Sequence, residues 1–325
     1  MKEKFEVILI NCVFILFTMI VASLFLAPVF LVGINNKNLL LGLNILDSNT
    51  TKIINSNDYI PSVSANVSNS STVLSDVQNS SLKIILNDKI KELDAYLKGK
   101  SISVKYYSLN TGFTYDYNDT RRYFSASLIK LLDILYVFNN NVNLYDTVNY
   151  KYAKLVYDKK MLAGDDLTRN ATIYDLCEYI MRYSDNRAHT LLVKKLGLKN
   201  LVEYNKSLNT TYYITKDYYT SINTSDALIY LKEIYKLLNM NNSNSEFLKD
   251  CLSNTHFNRL NIPEMNYYHK YGRTEKYFHD IGISISADNP YILIILTNDG
   301  YRYSKVYNDV SKMIYEIDKI QNAIR

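Results

Sequence analysis

Phe124-Ser125-Ala126-Ser127-Leu128-Ile129-Lys130-Leu131-Leu132-Asp133-Ile134-Leu135 is the stretch on which the reading of this chain turns. From Ser127 to Phe138 the residues are strongly apolar at helical spacing, which predicts a helix beginning near Ser127. Ser127 and Lys130 then fall at i and i+3 and share one face. The first turn of a helix leaves backbone N–H groups over and carries the positive end of the dipole. A serine hydroxyl is a weak nucleophile that needs a base beside it. A lysine one turn on can serve if burial and neighbouring cations lower its pKa. Alone the pair is a weak signal, because a helix cap followed by a solvated lysine has the same spelling.

Two more short motifs follow downstream. Ser184-Asp185-Asn186 lies at the end of an apolar helix expected over Tyr174–Tyr183, before another expected over Ala188–Leu196. By itself it is a polar turn, which these residue types make well. Lys270-Tyr271-Gly272 lies on an alternating run, Tyr267–Arg273, followed by Asp280-Ile281-Gly282. By itself that is an edge strand with an exposed lysine and a glycine bulge. Taken in order, Ser-x-x-Lys, Ser-Asp-Asn and Lys-x-Gly resemble the motif set of the class A β-lactamases and their penicillin-binding relatives. Phe124–Leu135 is similar to that family's nucleophile helix. His269–Gly282 with Asn289-Pro290-Tyr291 is similar to its last strands, and Thr224-Ser225-Asp226 opens a helix as expected. The resemblance covers residues 81–325.

The resemblance implies an α+β fold of the β-lactamase/transpeptidase type, with an antiparallel sheet flanked by helices and a helical subdomain. It also assigns roles. Ser127 is acylated, Lys130 helps take its proton, and Ser184 relays a proton to the leaving nitrogen. Asn186 holds the substrate amide and Lys130, while Asp185 braces the turn. Lys270 orients Ser184 and adds positive charge near a substrate carboxylate. Gly272 lets substrate approach the strand edge, and the backbone N–H groups of Ser127 and Arg273 form an oxyanion hole. Two departures stand out. Tyr271 replaces a Thr or Ser whose hydroxyl binds the substrate carboxylate, with Arg273 or Thr274 as compensating candidates. The family's Glu-x-x-x-Asn, which activates the deacylating water, has no counterpart in Leu196–Thr224. The acids there are Glu203 and Asp217, each followed at +4 by Ser.

The remaining pattern supports one α+β domain. Ile84–Leu97 has helical spacing. Ile102–Tyr117 alternates around Asn110-Thr111-Gly112, a hairpin signal. Asp226–Leu238 is helical, Ile281–Ile285 and Tyr291–Thr297 are strand-like, and Tyr303–Ile324 is a long closing helix. The order places strands from both ends of the chain in one sheet.

Upstream, Val7–Val32 carries no charge over 26 residues, beyond the roughly 20 needed to span a bilayer. A signal-peptide core is shorter, and no small-x-small site ends this run. Residues 1–33 therefore predict a cytoplasmic stub and an uncleaved transmembrane anchor, oriented weakly by Lys2, Lys4 and Lys37. Residues 34–80, rich in Asn, Ser and Thr, read as a disordered linker, and 81–325 as the hydrolase domain. The expected location is the cell membrane, single-pass, with the domain outside.

A net charge of +5 without a dense Lys/Arg block argues against nucleic-acid binding. Three cysteines, Cys12 in the apolar run with Cys177 and Cys251 beyond it, leave the core rather than a disulfide framework to stabilise the domain. His189, His256, His269 and His279 have no metal-ligand spacing, so no metal or cofactor is expected. His269 and His279 are expected to pack or hydrogen-bond beside the strands. The expected partners are a β-lactam or a peptidoglycan stem peptide. Two functions remain open: a serine hydrolase acting on these, and a penicillin-binding sensor or binding domain without efficient turnover.

Overall fold

Around Asn110-Thr111-Gly112 the chain forms the expected hairpin. Strands β1 (Ile102–Ser108) and β2 (Thr114–Tyr117) pair antiparallel with Tyr106 opposite Tyr115, and Gly112 takes a φ of 75° in the turn. The computed structural model describes residues 68–149, 170–211, 220–260, 262–286, 289–300 and 304–324. The apolar run 7–32, nearly all of the expected linker and Asp217 lie outside the described residues. Among the described residues no helix is long and apolar enough to cross a membrane. The helix expected over Ile84–Leu97 is the last part of a longer one, α1 (Ser68–Leu97).

Beyond the hairpin come β3 (Tyr123–Phe124), a 3-10 turn (Ala126–Ile129) running directly into α2 (Lys130–Asn139), β4 (Thr147–Asn149) and β5 (Asn170–Thr172). Helices α3 (Ile173–Tyr183), α4 (Asn186–Leu196) and α5 (Leu198–Ser207) follow. Then come β6 (Ser221–Ile222), α6 (Thr224–Leu238) and α7 (Ser243–Ser253). The chain closes with β7 (Tyr267–Arg273), β8 (Phe278–Ser284), β9 (Tyr291–Thr297) and α8 (Ser304–Ala323). The main sheet has the order β2-β1-β9-β8-β7, all antiparallel, so strands from both ends of the domain share it and, among the described residues, β7 is a free edge.

Every residue of β9 is buried, which explains its unbroken apolar sequence. Leu293 and Ile295 face a core made with α1 and α8. Ile292, Ile294 and Leu296 face a second core that holds α2 through α7. Helix α2 is apolar on nearly all sides because it runs through the middle of that second core, where Leu131, Leu132, Ile134 and Leu135 are completely buried. Cys177 and Cys251 are buried free thiols, and burial raises both above the usual thiol range.

Candidate active site

The three motifs converge where α2, the bend between α3 and α4, and the free edge of β7 meet. Ser127 sits in the 3-10 turn, half-buried, and among the described residues its hydroxyl has no hydrogen-bond partner. Ala126, just before it, holds a left-handed φ of 47°. For a residue with a Cβ that backbone costs about 1–3 kcal/mol. The surroundings fix it: Ser125 N–H donates to Thr220 O at 2.9 Å and Ser125 Oγ bonds Thr220 Oγ1 at 2.8 Å. Leu128 N–H closes the turn onto Ser125 O at 3.1 Å.

Lys130 is 2% exposed, and its amine donates to Ser184 O at 2.5 Å and to Asn186 Oδ1 at 2.6 Å, with Ser184 Oγ at 3.4 Å. An ammonium can give one N–H to each oxygen. A neutral amine can donate to the two carbonyls and turn its lone pair toward the Ser184 hydroxyl. The arrangement therefore accommodates both states a proton shuttle must visit. Ser184 ends α3 in left-handed backbone (φ 56°), which turns its carbonyl and hydroxyl toward Lys130. Asp185 caps α4 by accepting from Ala188 N–H at 2.7 Å, the bracing expected of it, and burial raises its carboxyl pKa.

The edge strand supplies the other wall. Lys270 is fully buried, and its amine donates to Tyr271 O at 3.1 Å and lies 4.5 Å from the Tyr271 ring centre. Burial first, then the nearby Lys130, push Lys270 well below the ordinary lysine value, with Asp280 opposing. The expected pairing of Lys270 with Ser184 is not formed among the described residues; the Ser184 hydroxyl faces Lys130 instead.

Gly272 also has a reason within the fold. A Cβ there would stand 2.9 Å from Ser125 O and 3.2 Å from Leu128 N. The glycine lets the strand press on the backbone of the Ser127 turn itself. Outside β7, Thr274 N–H donates to Tyr277 O and Ile285 N–H to Asn266 O, both at 2.8 Å. Even-numbered residues thus bond to β8, and antiparallel alternation turns the N–H of Arg273 to the free edge. The Arg273 side chain is exposed, with its guanidinium 5.7 Å from the Phe257 ring centre. Tyr271 donates its hydroxyl to Tyr183 O at 3.3 Å, the residue before Ser184, and its ring packs on Phe257 at 5.5 Å.

Three supports lie beyond the motifs. His279, opposite Gly272, is fully buried; its Nε2 donates to Phe124 O at 2.8 Å and its Nδ1 accepts from Thr297 N–H at 3.2 Å. That is a neutral imidazole, and burial lowers its pKa to about 4. Asp133 and His189 pair at 2.6 Å between α2 and α4, each three residues beyond a member of the Lys130–Asn186 contact. His269 bonds Asp280 at 2.9 Å and also Thr255. The expectation that His269 and His279 hydrogen-bond beside the strands is met. The only sequence signal for the Asp133–His189 pair is the shared +3 spacing. Of the candidate acids, Glu203 lies on α5 with its side chain 62% exposed, 3.8 Å from Lys199.

The fold is shared with solved structures of low sequence identity. A penicillin-G acyl-enzyme complex of a PBP-A mutant matches at 16% identity, covering 72% of this chain and 96% of that one, with a TM-score of 0.62. TLA-1 extended-spectrum β-lactamase matches at 15% identity over 74% of this chain and 99% of that one, with a TM-score of 0.63. A β-lactamase from Sphaerobacter thermophilus matches at 16% identity over 72% and 96%, with a TM-score of 0.60. No curated protein matches the chain by sequence. The model of the β-lactamase enzyme family, in contrast, matches residues 85–317, most of the described domain. With the fold and the three motifs brought side by side, the chain belongs to the β-lactamase enzyme family and is a serine hydrolase.

Proposed function

We propose that this serine hydrolase forms an acyl-enzyme through Ser127 with β-lactams or D-Ala-D-Ala-type wall peptides, as a membrane-anchored protein whose domain lies outside the cell. The observation that carries the reading is the seat of Lys130, one turn after Ser127 and bonded to both Ser184 and Asn186. Ser127 Oγ attacks the carbonyl carbon while Lys130 takes its proton. The oxyanion is met by the N–H groups of Ser127 and Arg273, a preorganised donor pair. The proton passes through the Ser184 hydroxyl to the leaving nitrogen as the C–N bond breaks. The PBP-A structure bearing a penicillin-G acyl group supports this fold as a scaffold for such an intermediate. The uncharged 7–32 run supports the anchor.

A second reading, a penicillin-binding sensor that acylates with little turnover, draws on the solvent-facing place of Glu203. A fluorescent penicillin with the full-length protein tests the first step. It labels the wild type covalently at Ser127 and leaves Ser127→Ala unlabelled; a peptide map placing the adduct elsewhere rejects the assignment.

A further inference from the structure

Two polar contacts join α2 to α4. In the first, Lys130 Nζ donates to Asn186 Oδ1 at 2.6 Å; in the second, His189 Nδ1 meets Asp133 Oδ2, also at 2.6 Å. An ionised carboxylate only accepts, so the ring nitrogen is the donor. The step from one contact to the other is three residues in both helices, which puts the second one turn beyond the first. Lys130 and Asn186 are each the first residue of their helix, where helices fray. Asp133 and His189 stand one turn inside, both buried, with Leu131, Leu132, Ile134 and Leu135 of α2 and Leu191 and Leu192 of α4 completely buried around them. Neither residue takes a step in the proposed acyl transfer. Stability is a poor reason for such a pair, because apolar groups of similar volume often serve as well; fixing the register of two helices is a better-attested use.

We infer that Asp133 and His189 are positioning residues for the acyl transfer: their contact holds α2 and α4 in the register at which the Lys130 amine meets Ser184 and Asn186. The inference rests on the Ser127 acyl-enzyme reading above and adds two residues that act through Lys130 and Asn186. Apolar packing is non-directional and governs how closely the helices lie. A hydrogen bond fails with a small displacement, so it also governs how far one helix is slid along the other. Displacing a reacting group by about 1 Å is enough to lower a rate about 10²-fold.

The experiment separates register from stability. Asp133→Leu/His189→Leu removes the contact and leaves no unpaired charge. Urea melts of the detergent-solubilised full-length protein give its stability, and stopped-flow labelling with a fluorescent penicillin gives the Kd and the saturating acylation rate. The rate is expected to fall about 10- to 100-fold with stability near that of the wild type and the Kd little changed. Asp133→Met/His189→Met, whose flexible side chains fill irregular gaps, is measured in parallel, so that a poor fit of the branched pair does not decide the result. His189→Asn, whose amide N–H can stand where Nδ1 stood, keeps most of the rate. In an Asn186→Ala background the Leu pair lowers the rate by less than it does in the wild type, because the contact it serves is already gone; independent effects would multiply. A Leu or Met pair as stable as the wild type that acylates at the wild-type rate overturns the inference and leaves the acyl-enzyme reading standing. A loss that multiplies in full with that of Asn186→Ala overturns it too. Absence of any adduct in the wild type rejects the acyl-enzyme reading, and the inference falls with it.

Discussion

Lys130 Nζ lies 2.6 Å from Asn186 Oδ1, so the helix that continues the Ser127 turn is tied to the first residue of the helix that follows the Ser184 bend. The contact fixes where the amine can stand relative to both serines. On the acyl-enzyme reading, removing the amine removes the base, whereas removing the carboxamide leaves Lys130 its bond to Ser184 O. Lys130→Ala is therefore expected to slow penicillin acylation by about 10²–10⁴-fold, the usual worth of a positioned base. Asn186→Ala is expected to slow it less. Stopped-flow labelling of both variants checks the order, and a larger loss for Asn186→Ala contradicts it.

Gly272→Ala places a methyl group 2.9 Å from Ser125 O and 3.2 Å from Leu128 N, both backbone atoms of the Ser127 turn. Backbone cannot rotate away as a side chain can. The substitution is expected to cost about 1–3 kcal/mol, as overpacking does, and to lower acylation at Ser127 while far-UV circular dichroism is kept. Full acylation with unchanged stability would show that the strand and turn are further apart than this.

His189→Leu strands the Asp133 carboxylate, which is 1% exposed and paired with His189 at 2.6 Å. Breaking a buried pair from one side typically costs about 3–5 kcal/mol. Urea melts should register that loss. Replacing Asp133 with Leu as well should recover much of it, because two apolar groups leave no unpaired charge.

Stability should depend on pH through His279. Burial takes its pKa from 6.5 to about 4. Between those values the unfolded chain binds more protons than the folded one, so stability rises with pH across the window and falls as pH drops through it. Between about pH 7 and about pH 5 this one group removes about 2 kcal/mol. His279→Gln should lower stability at neutral pH and flatten that part of the profile. An unchanged slope in the variant would assign the dependence to other groups.

Deacylation is expected to be slow. Glu203 faces solvent beside Lys199, so Glu203→Gln should leave turnover unaltered. A β-lactam should give a burst near one equivalent followed by a slow phase, with the acyl-enzyme seen by intact mass. Fast turnover without a burst, together with an adduct trapped by Asp217→Asn, would put the missing base at Asp217.

What the sequence makes legible follows from how local each signal is. The hairpin at Gly112 and the strand Tyr267–Arg273 are written in alternation and turn residues, and Tyr291–Thr297 in an unbroken apolar run; all fold as read. Helix α7 (Ser243–Ser253) is not legible, because a polar, Asn- and Ser-rich segment owes its helix to the Asn242 capping box and to burial of Phe247, Leu248, Cys251 and Leu252. In the cleft, the Lys130–Ser184–Asn186 cluster is legible from motif order alone. The turn of the Ser184 hydroxyl toward Lys130, and of the Tyr271 hydroxyl toward Tyr183, depends on where two distant segments come to rest. The role of Gly272 is hidden for the same reason: its neighbours, Ser125 and Leu128, lie on another element.

The register that sets Val104 of β1 against Ile295 of β9 also governs when the enzyme can come into being. Those strands lie at opposite ends of the domain, so closing the sheet carries a large loop entropy and belongs to the slow, non-local class of folding steps. Helix α2 and the Ser184 bend are synthesised long before β7 exists. Until the C-terminal strands are released and zipped against β1, the Ser127 turn lacks both the Arg273 N–H and the Gly272 contact, and α2 lacks the β8 and β9 side chains of its core. The emerging chain is therefore expected to complete the surroundings of Ser127 only with its last strands.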